Sequence, residues 1–148
     1  MAGRRNTVRG LPSLIMRFEK LDKAFGLGGE RLYSTLLRAG KITRSHIRAG
    51  TPIGPPGRFY KKVPIIPGML RRKIGVVKVR NTAHDRPGVR VHAFANHAWL
   101  VENGHIAQNG KHVGATHYFT NGVNRSAGIV KTLIRGDMEK MVNKAARL

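Results

Sequence analysis

A chain of 148 residues with no cysteine and 41% hydrophobic content is the size of one ordinary domain, able to bury about 68–70% of its unfolded surface without staples. Its 28 lysines and arginines stand against 7 aspartates and glutamates, a formal charge of +21 and a pI near 11.8. That composition excludes disulfide frameworks and thiolate chemistry, contains no run near the ~18 apolar residues of a membrane span, and points to a polyanion or an acidic protein surface as neighbour.

The opening MAGRRNTVRG, residues 1–10, is basic but has no apolar stretch behind it. It reads as a flexible basic tail rather than a secretory signal, leaving 11–148 as one domain. Leu11, Leu14, Ile15, Phe18, Leu21 and Phe25 recur at three- and four-residue steps, which predicts an amphipathic helix over about 12–24. Pro12 suits its first turn, and GLGG at 26–29 stops it and supplies a hinge. A second helix is expected over about 29–48, with Leu32, Leu36, Ala39 and Thr43 as its stripe and Arg31, Arg38, Lys41, Arg44 and Arg48 mostly outside it. Ala39 and Gly40 are small enough to let another backbone approach.

Residues 50–68, GTPIGPPGRFYKKVPIIPG, carry too many prolines and glycines for a regular helix or a central strand. Ile53, Phe59, Tyr60, Val63, Ile65 and Ile66 are too apolar for a solvated linker. Two readings stand: an extended arm that packs on a neighbouring subunit, or a loop folded back on its own core. Met69 and Leu70 begin a short helical turn, and Ile74, Val76 and Val77 or Val79 predict a strand over 74–82. NTAHDRPG is a turn cluster. Val89, Val91, Ala93 and Ala95 then alternate with Arg90, His92, Phe94 and Asn96, the period of a half-buried strand. The two strands form a hairpin, which needs further cover to be stable. AWLVENG (98–104) reads as a short helix or turn with Gly104 as a left-handed cap. Residues 104–124 read as loop, and a last helix is expected over about 125–146, with Val130, Leu133, Ile134, Met138, Met141, Val142 and Ala145 as its stripe. The fold class that follows is α+β: two N-terminal helices and a C-terminal helix on a small antiparallel sheet, with a long extended loop at about 50–68.

Sites of chemistry are scarce. His97, Glu102, His105, His112 and His117 are the best metal candidates, but the helical zinc pattern of two histidines four apart is absent. The serines at 13, 34, 45 and 126 lack a nucleophile elbow. Glu102 stands alone among the carboxylates in a suggestive position, with no second carboxylate near it for acid–base work; it can accept hydrogen bonds from loop amides or pair with an arginine. Glu19, Asp22, Asp137 and Glu139 fall on predicted helices, where ion pairs one turn apart are the ordinary role. The expectation is a protein that is not an enzyme, with no metal and no cofactor. Aromatics are 6%, too few for stacking platforms; spread arginine favours phosphates over base edges.

The order of segments resembles a tailed-phage family of neck proteins, the tail-completion or head–tail joining components, also known as minor tail proteins. Two segments carry the resemblance: Ala49-Gly50-Thr51-Pro52 followed, after an insertion, by Pro67-Gly68-Met69-Leu70-Arg71-Arg72-Lys73-Ile74, and Asn96-His97-Ala98-Trp99-Leu100-Val101-Glu102-Asn103-Gly104-His105. The proline–aromatic segment common in that family before its last helix is replaced here by His117-Tyr118-Phe119-Thr120. The resemblance implies a structural virion protein in the neck or tail, assembled in the host cytoplasm as a homo-oligomeric ring of six. Its implied partners are the head connector and the tail terminator or tail tube, with genomic DNA passing non-specifically through the lumen and no membrane. It further implies subunit contacts at Phe59, Tyr60, Ile65 and Ile66, contact with DNA or acidic partners at Lys61, Lys62, Arg71 and Arg72, and packing at Trp99, Leu100 and Val101, with Glu102 and Gly104 shaping the following loop. The alternatives are a free basic DNA- or RNA-binding protein without sequence specificity and, more remotely, a metal-dependent hydrolase using His97, Glu102 and His105.

Overall fold

The computed structural model describes residues 30–54, 57–60, 62–81 and 86–147; the tail at 1–10 and the helix expected at 12–24 lie outside the described residues. In chain order come helix α1 (Glu30–Gly50), strands β1 (Arg58–Tyr60) and β2 (Val63–Ile65), the short turn α2 (Met69–Arg72), strands β3 (Ile74–Asn81) and β4 (Arg86–Ala93), helix α3 (Ala98–Asn103), strands β5 (His105–Ile106) and β6 (His112–Val113), and helix α4 (Tyr118–Ala146). Among the described residues each strand pairs antiparallel with its neighbour in the chain, giving three separate two-stranded ladders. The class is α+β, as the mixture of helical and alternating segments predicts.

The β3–β4 ladder runs in register from Ile74 opposite Ala93 to Asn81 opposite Arg86. Its alternation puts Ile74, Val76, Val89 and Val91 on the face that meets α1. There Gly40 makes the closest approach: a Cβ on it would lie 2.8 Å from Val76 and 2.9 Å from Val89. The small residues at 39 and 40 therefore admit a sheet, through its valines. Lys78, on the same face, lays its ammonium 5.3 Å from the centre of the Tyr33 ring, so the inner face ends in a cation–π contact at the water line.

Helix α4 runs antiparallel to α1. Gly122 sits against Ile47, where a Cβ would lie 2.5 Å from the Ile47 Cα. One turn further, the Ser126 hydroxyl donates to Thr43 Oγ1 at 3.2 Å; at the far end, Asp137 meets Thr35 and Arg38. The helix–helix seam is built of small and hydroxylated residues rather than leucines. The buried stripe of α1 is accordingly Thr35, Ala39, Gly40 and Ile47, rotated from the Leu32–Leu36–Ala39–Thr43 stripe that hydrophobicity suggests. Where Ile47, Leu70, Ile74, Ala95 and Tyr118 converge, they form the buried core, with Val91, Ala93, Ala98, Val101 and Phe119 packed around it.

Two sequence expectations are corrected. The segment 104–124 is not one loop: it holds the β5–β6 ladder and the first turns of α4. Helix α4 begins seven residues before the expected start at 125, because its N-terminus is held from outside by Glu102. The proline-rich arm is a small hairpin with Phe59 opposite Pro64 and Tyr60 opposite Val63. Pro64 is tolerated there because a two-stranded ladder has only edge strands.

Candidate subunit interface

The hairpin, the segment after α1, α2, α3 and the β5–β6 ladder surround a cleft of about 460 Å³. Leu70 and Val101, both joined to the core, form its floor with His97. Ile53, Phe59 and Ile66 stand at its edge and remain 62%, 70% and 54% exposed. The hairpin leaves its described apolar side chains, Phe59 and Ile66, largely exposed over the cleft; the side chains of Tyr60, Val63 and Ile65 lie outside the described residues. Tyr60 and Ile65 are placed by their backbones in the ladder, and Lys61 lies outside the described residues. Lys62, at the hairpin tip, is exposed and adopts φ +66, a left-handed conformation uncommon outside glycine.

Beside the cleft, Arg71 and Arg72 project from α2 into solvent. Arg72 folds back far enough to donate from Nη2 to the Pro67 carbonyl at 3.1 Å. Beneath them Arg48, the last-turn arginine of α1, donates from Nη2 to the carbonyls of Arg72 and Ile74 at 3.3 and 3.0 Å. It locks the α2–β3 junction and is structural rather than a surface cation.

Glu102 anchors the other side. Its carboxylate accepts from the Phe119 amide at 2.8 Å, the Thr120 amide at 3.0 Å and the Thr120 hydroxyl at 2.6 Å. The two amides are orphan donors of the first turn of α4, and the negative charge also suits the positive end of the helix dipole. Its backbone is tied to the same strand of chain: Thr116 donates to the Val101 carbonyl and His117 to that of Glu102, each at 3.1 Å. Partial burial pushes the Glu102 carboxyl up, but the Thr120 hydroxyl, the two amides and nearby His117 together hold it below its ordinary value. Burial, with a smaller push from Glu102, raises the Tyr118 phenol to about 12. His97 is pushed down by burial.

Two other residues of the proposed packing motif, Gly104 and Trp99, behave differently from each other. Gly104 does shape the loop: φ is +75, and a Cβ would lie 2.7 Å from the Val113 carbonyl oxygen. Its ψ of 167 is not that of a left-handed cap. Trp99 does not pack. It is 69% exposed, because the short helix α3 turns Leu100 and Val101 towards the molecule and leaves position 99 on its outer side. Ile106, on the next element, is 73% exposed.

His97 and His105 both border the cleft, while Glu102 turns away to α4, so the set His97, Glu102, His105 does not converge. Among the described residues no three histidine, aspartate or glutamate side chains come close enough to hold a metal ion, and no helix is long and apolar enough to cross a membrane.

Sequence reasoning also misplaced Asp137. It is not paired along its own helix: its Oδ2 accepts from Thr35 Oγ1 at 3.0 Å and Arg38 Nη1 at 2.9 Å. No local signal marks a pairing between helices about a hundred residues apart in the chain. No protein-family model, curated protein or solved structure matches the chain.

Proposed function

We propose that this chain is a structural protein of a tailed-phage virion, forming a ring at the neck or the top of the tail that joins the head connector to the tail and lets DNA pass. The observation that carries the proposal is the apolar edge of the cleft: Ile53, Phe59 and Ile66, with Trp99 and Ile106 on the adjoining elements, exposed on a chain of charge +21. Large apolar side chains grouped on so cationic a surface fit a packed partner better than solvent. The hairpin is one half of a head-to-tail contact and the cleft beneath it the other half, the kind of heterologous interface that closes into a ring. A ring also gives the charge a use. Arg71, Arg72, Lys61 and Lys62 and the exposed cations of α1 exchange counterions with the phosphates of passing DNA or orient docking on acidic neighbours.

The competing reading is a free, basic nucleic-acid-binding protein, favoured by the charge alone. Sedimentation of the full chain over a concentration series, with electron microscopy of the largest species, separates the two. Closed rings that Phe59→Ser with Ile66→Ser converts to folded monomers support the neck reading. A chain that stays monomeric at all concentrations, yet binds duplex DNA tightly with a steep salt slope, overturns it.

A further inference from the structure

Helix α1 gathers exposed residues on one narrow face. Arg31, Ser34, Arg38, Lys41 and Ser45 advance by three and four, and all five are exposed. At 3.6 residues per turn they fall within about 80° of the helix circumference. Across the seam, Lys140 and Lys144 of α4 border the same hollow as Arg31 and Ser34. Among the described side chains one carboxylate interrupts this face, Asp137, and it already accepts from Thr35 and Arg38. The other flank of α4 differs in kind: there Val123, Val130, Ile134, Met138 and Val142 line an open groove of about 920 Å³, with Glu139 on its wall.

We infer that the α1–α4 face is the surface that meets duplex DNA through its phosphates, which rests on the neck reading for the passage of DNA and adds where on the chain the contact falls. The side chains favour a phosphate backbone over an acidic protein. A protein interface is built round buried aromatic or aliphatic anchors inside a polar rim, and this stripe offers arginine, lysine and serine alone. Phosphate oxygens take charge and hydroxyl donors, which the stripe supplies. Reach fits as well. From Arg31 to Ser45 the helix runs about 21 Å, the length of about six base pairs. Arg71 and Arg72, by contrast, rise from the α2 turn whose Met69 and Leu70 line the apolar cleft, a setting for a protein contact.

Two full-length variants that lose equal charge decide between this face and charge in general. Arg31→Gln, Lys41→Gln, Lys140→Gln and Lys144→Gln together strip the face and spare Arg38, which holds Asp137. Lys73→Gln, Lys111→Gln, Lys131→Gln and Arg135→Gln remove four exposed cations elsewhere. After circular dichroism shows both folded, affinity for a short duplex of arbitrary sequence is read by fluorescence anisotropy across a salt series. The face variant is expected to lose about 3 from the slope of log K against log salt, at about 0.9 per phosphate contact, and the matched variant less than about 1. Equal slopes in the two variants, or an unchanged slope in the first, overturn the assignment. So does a face variant that keeps the duplex and loses polyglutamate, the result an acidic protein partner gives. Lysine acetylation of the unaltered chain needs no substitution: bound duplex is expected to slow modification of Lys41, Lys140 and Lys144 severalfold more than that of Lys111 and Lys131, and equal slowing overturns the proposal. Sedimentation of the same samples without DNA reads assembly separately. A parent chain that forms no ring counts against the neck reading, while the slopes still decide the DNA face.

Discussion

At the scale of single residues, Glu102 and Gly122 have sharply testable roles. Replacing Glu102 by Ala removes three hydrogen bonds from the first turn of α4, and the expected loss is about 1–2 kcal/mol, the upper range of an N-cap deletion. Urea unfolding measures it, and Glu102→Asp, with a shorter reach, should recover little. Gly122→Ala poses a contest of signs. Alanine is the better helix former by about 1 kcal/mol, but its Cβ would strike the Ile47 backbone at 2.5 Å. Backbone cannot step aside cheaply, so a net loss of about 1–3 kcal/mol is expected. Gly128→Ala, where nothing lies within 4 Å, should instead stabilise by about 0.5–1 kcal/mol. Asp137→Ala breaks an ion pair with an Arg38 that is 58% exposed, and such pairs contribute little. The larger loss, about 1–3 kcal/mol, comes from stranding the buried Thr35 hydroxyl. Arg38→Ala should therefore cost much less than Asp137→Ala.

At the scale of elements, α3 carries two protonation-sensitive side chains: His97, buried at its start beside the cleft, and Glu102, which joins it to α4. His97 and Glu102 both have folded-state pKa values below their unfolded ones. A depressed pKa means the unfolded chain binds the proton more readily, so the stability each contributes is full above its unfolded value and is lost as pH falls through the folded one. Melting temperature should thus begin to fall below about pH 6.5 as His97 becomes chargeable, and fall again below about pH 4.5 as Glu102 protonates. Glu102→Gln should abolish the second step and leave the first. The α4 start shows why such an element is hard to find by reading along the chain. His117 is no capping residue, and Asn121, Gly122 and Asn124 depress helix propensity, so the periodic signal begins only near 125. The cap that extends the helix back to Tyr118 comes from a side chain sixteen residues upstream of that start.

At the scale of the whole molecule, charge and apolar surface are arranged on different parts of the chain. The apolar side chains of the hairpin cleft and of the α4 groove are each exposed among the described residues, while the cations are spread over almost every element. Assembly driven by the cleft should survive high salt, because apolar burial does not weaken as ions are added, whereas attraction to a polyanion should fall steeply. A salt series read by sedimentation, with and without duplex DNA, tests this: rings that dissolve at the same salt as the DNA complex would show that one electrostatic contact underlies both.

Read alone, the sequence specified what depends on neighbours along the chain. The period of two in Val89–Val91–Ala93 marked β4, the 3.6-residue period in Val130–Ile134–Met141 marked α4, and Gly104 marked a backbone turn that only glycine makes. It also specified the excess of positive charge and the lack of any thiol. Tertiary structure decided whatever depends on distance in space: that α1 buries Thr35 and Ile47 rather than Leu32 and Leu36, that Trp99 faces water, and that Glu102 caps a helix instead of shaping a loop. The division has one physical reason. Periodicity and turn chemistry follow from local backbone geometry, whereas which of several apolar faces is covered, and which carboxylate meets which amide, is settled only when remote segments compete for the same contact.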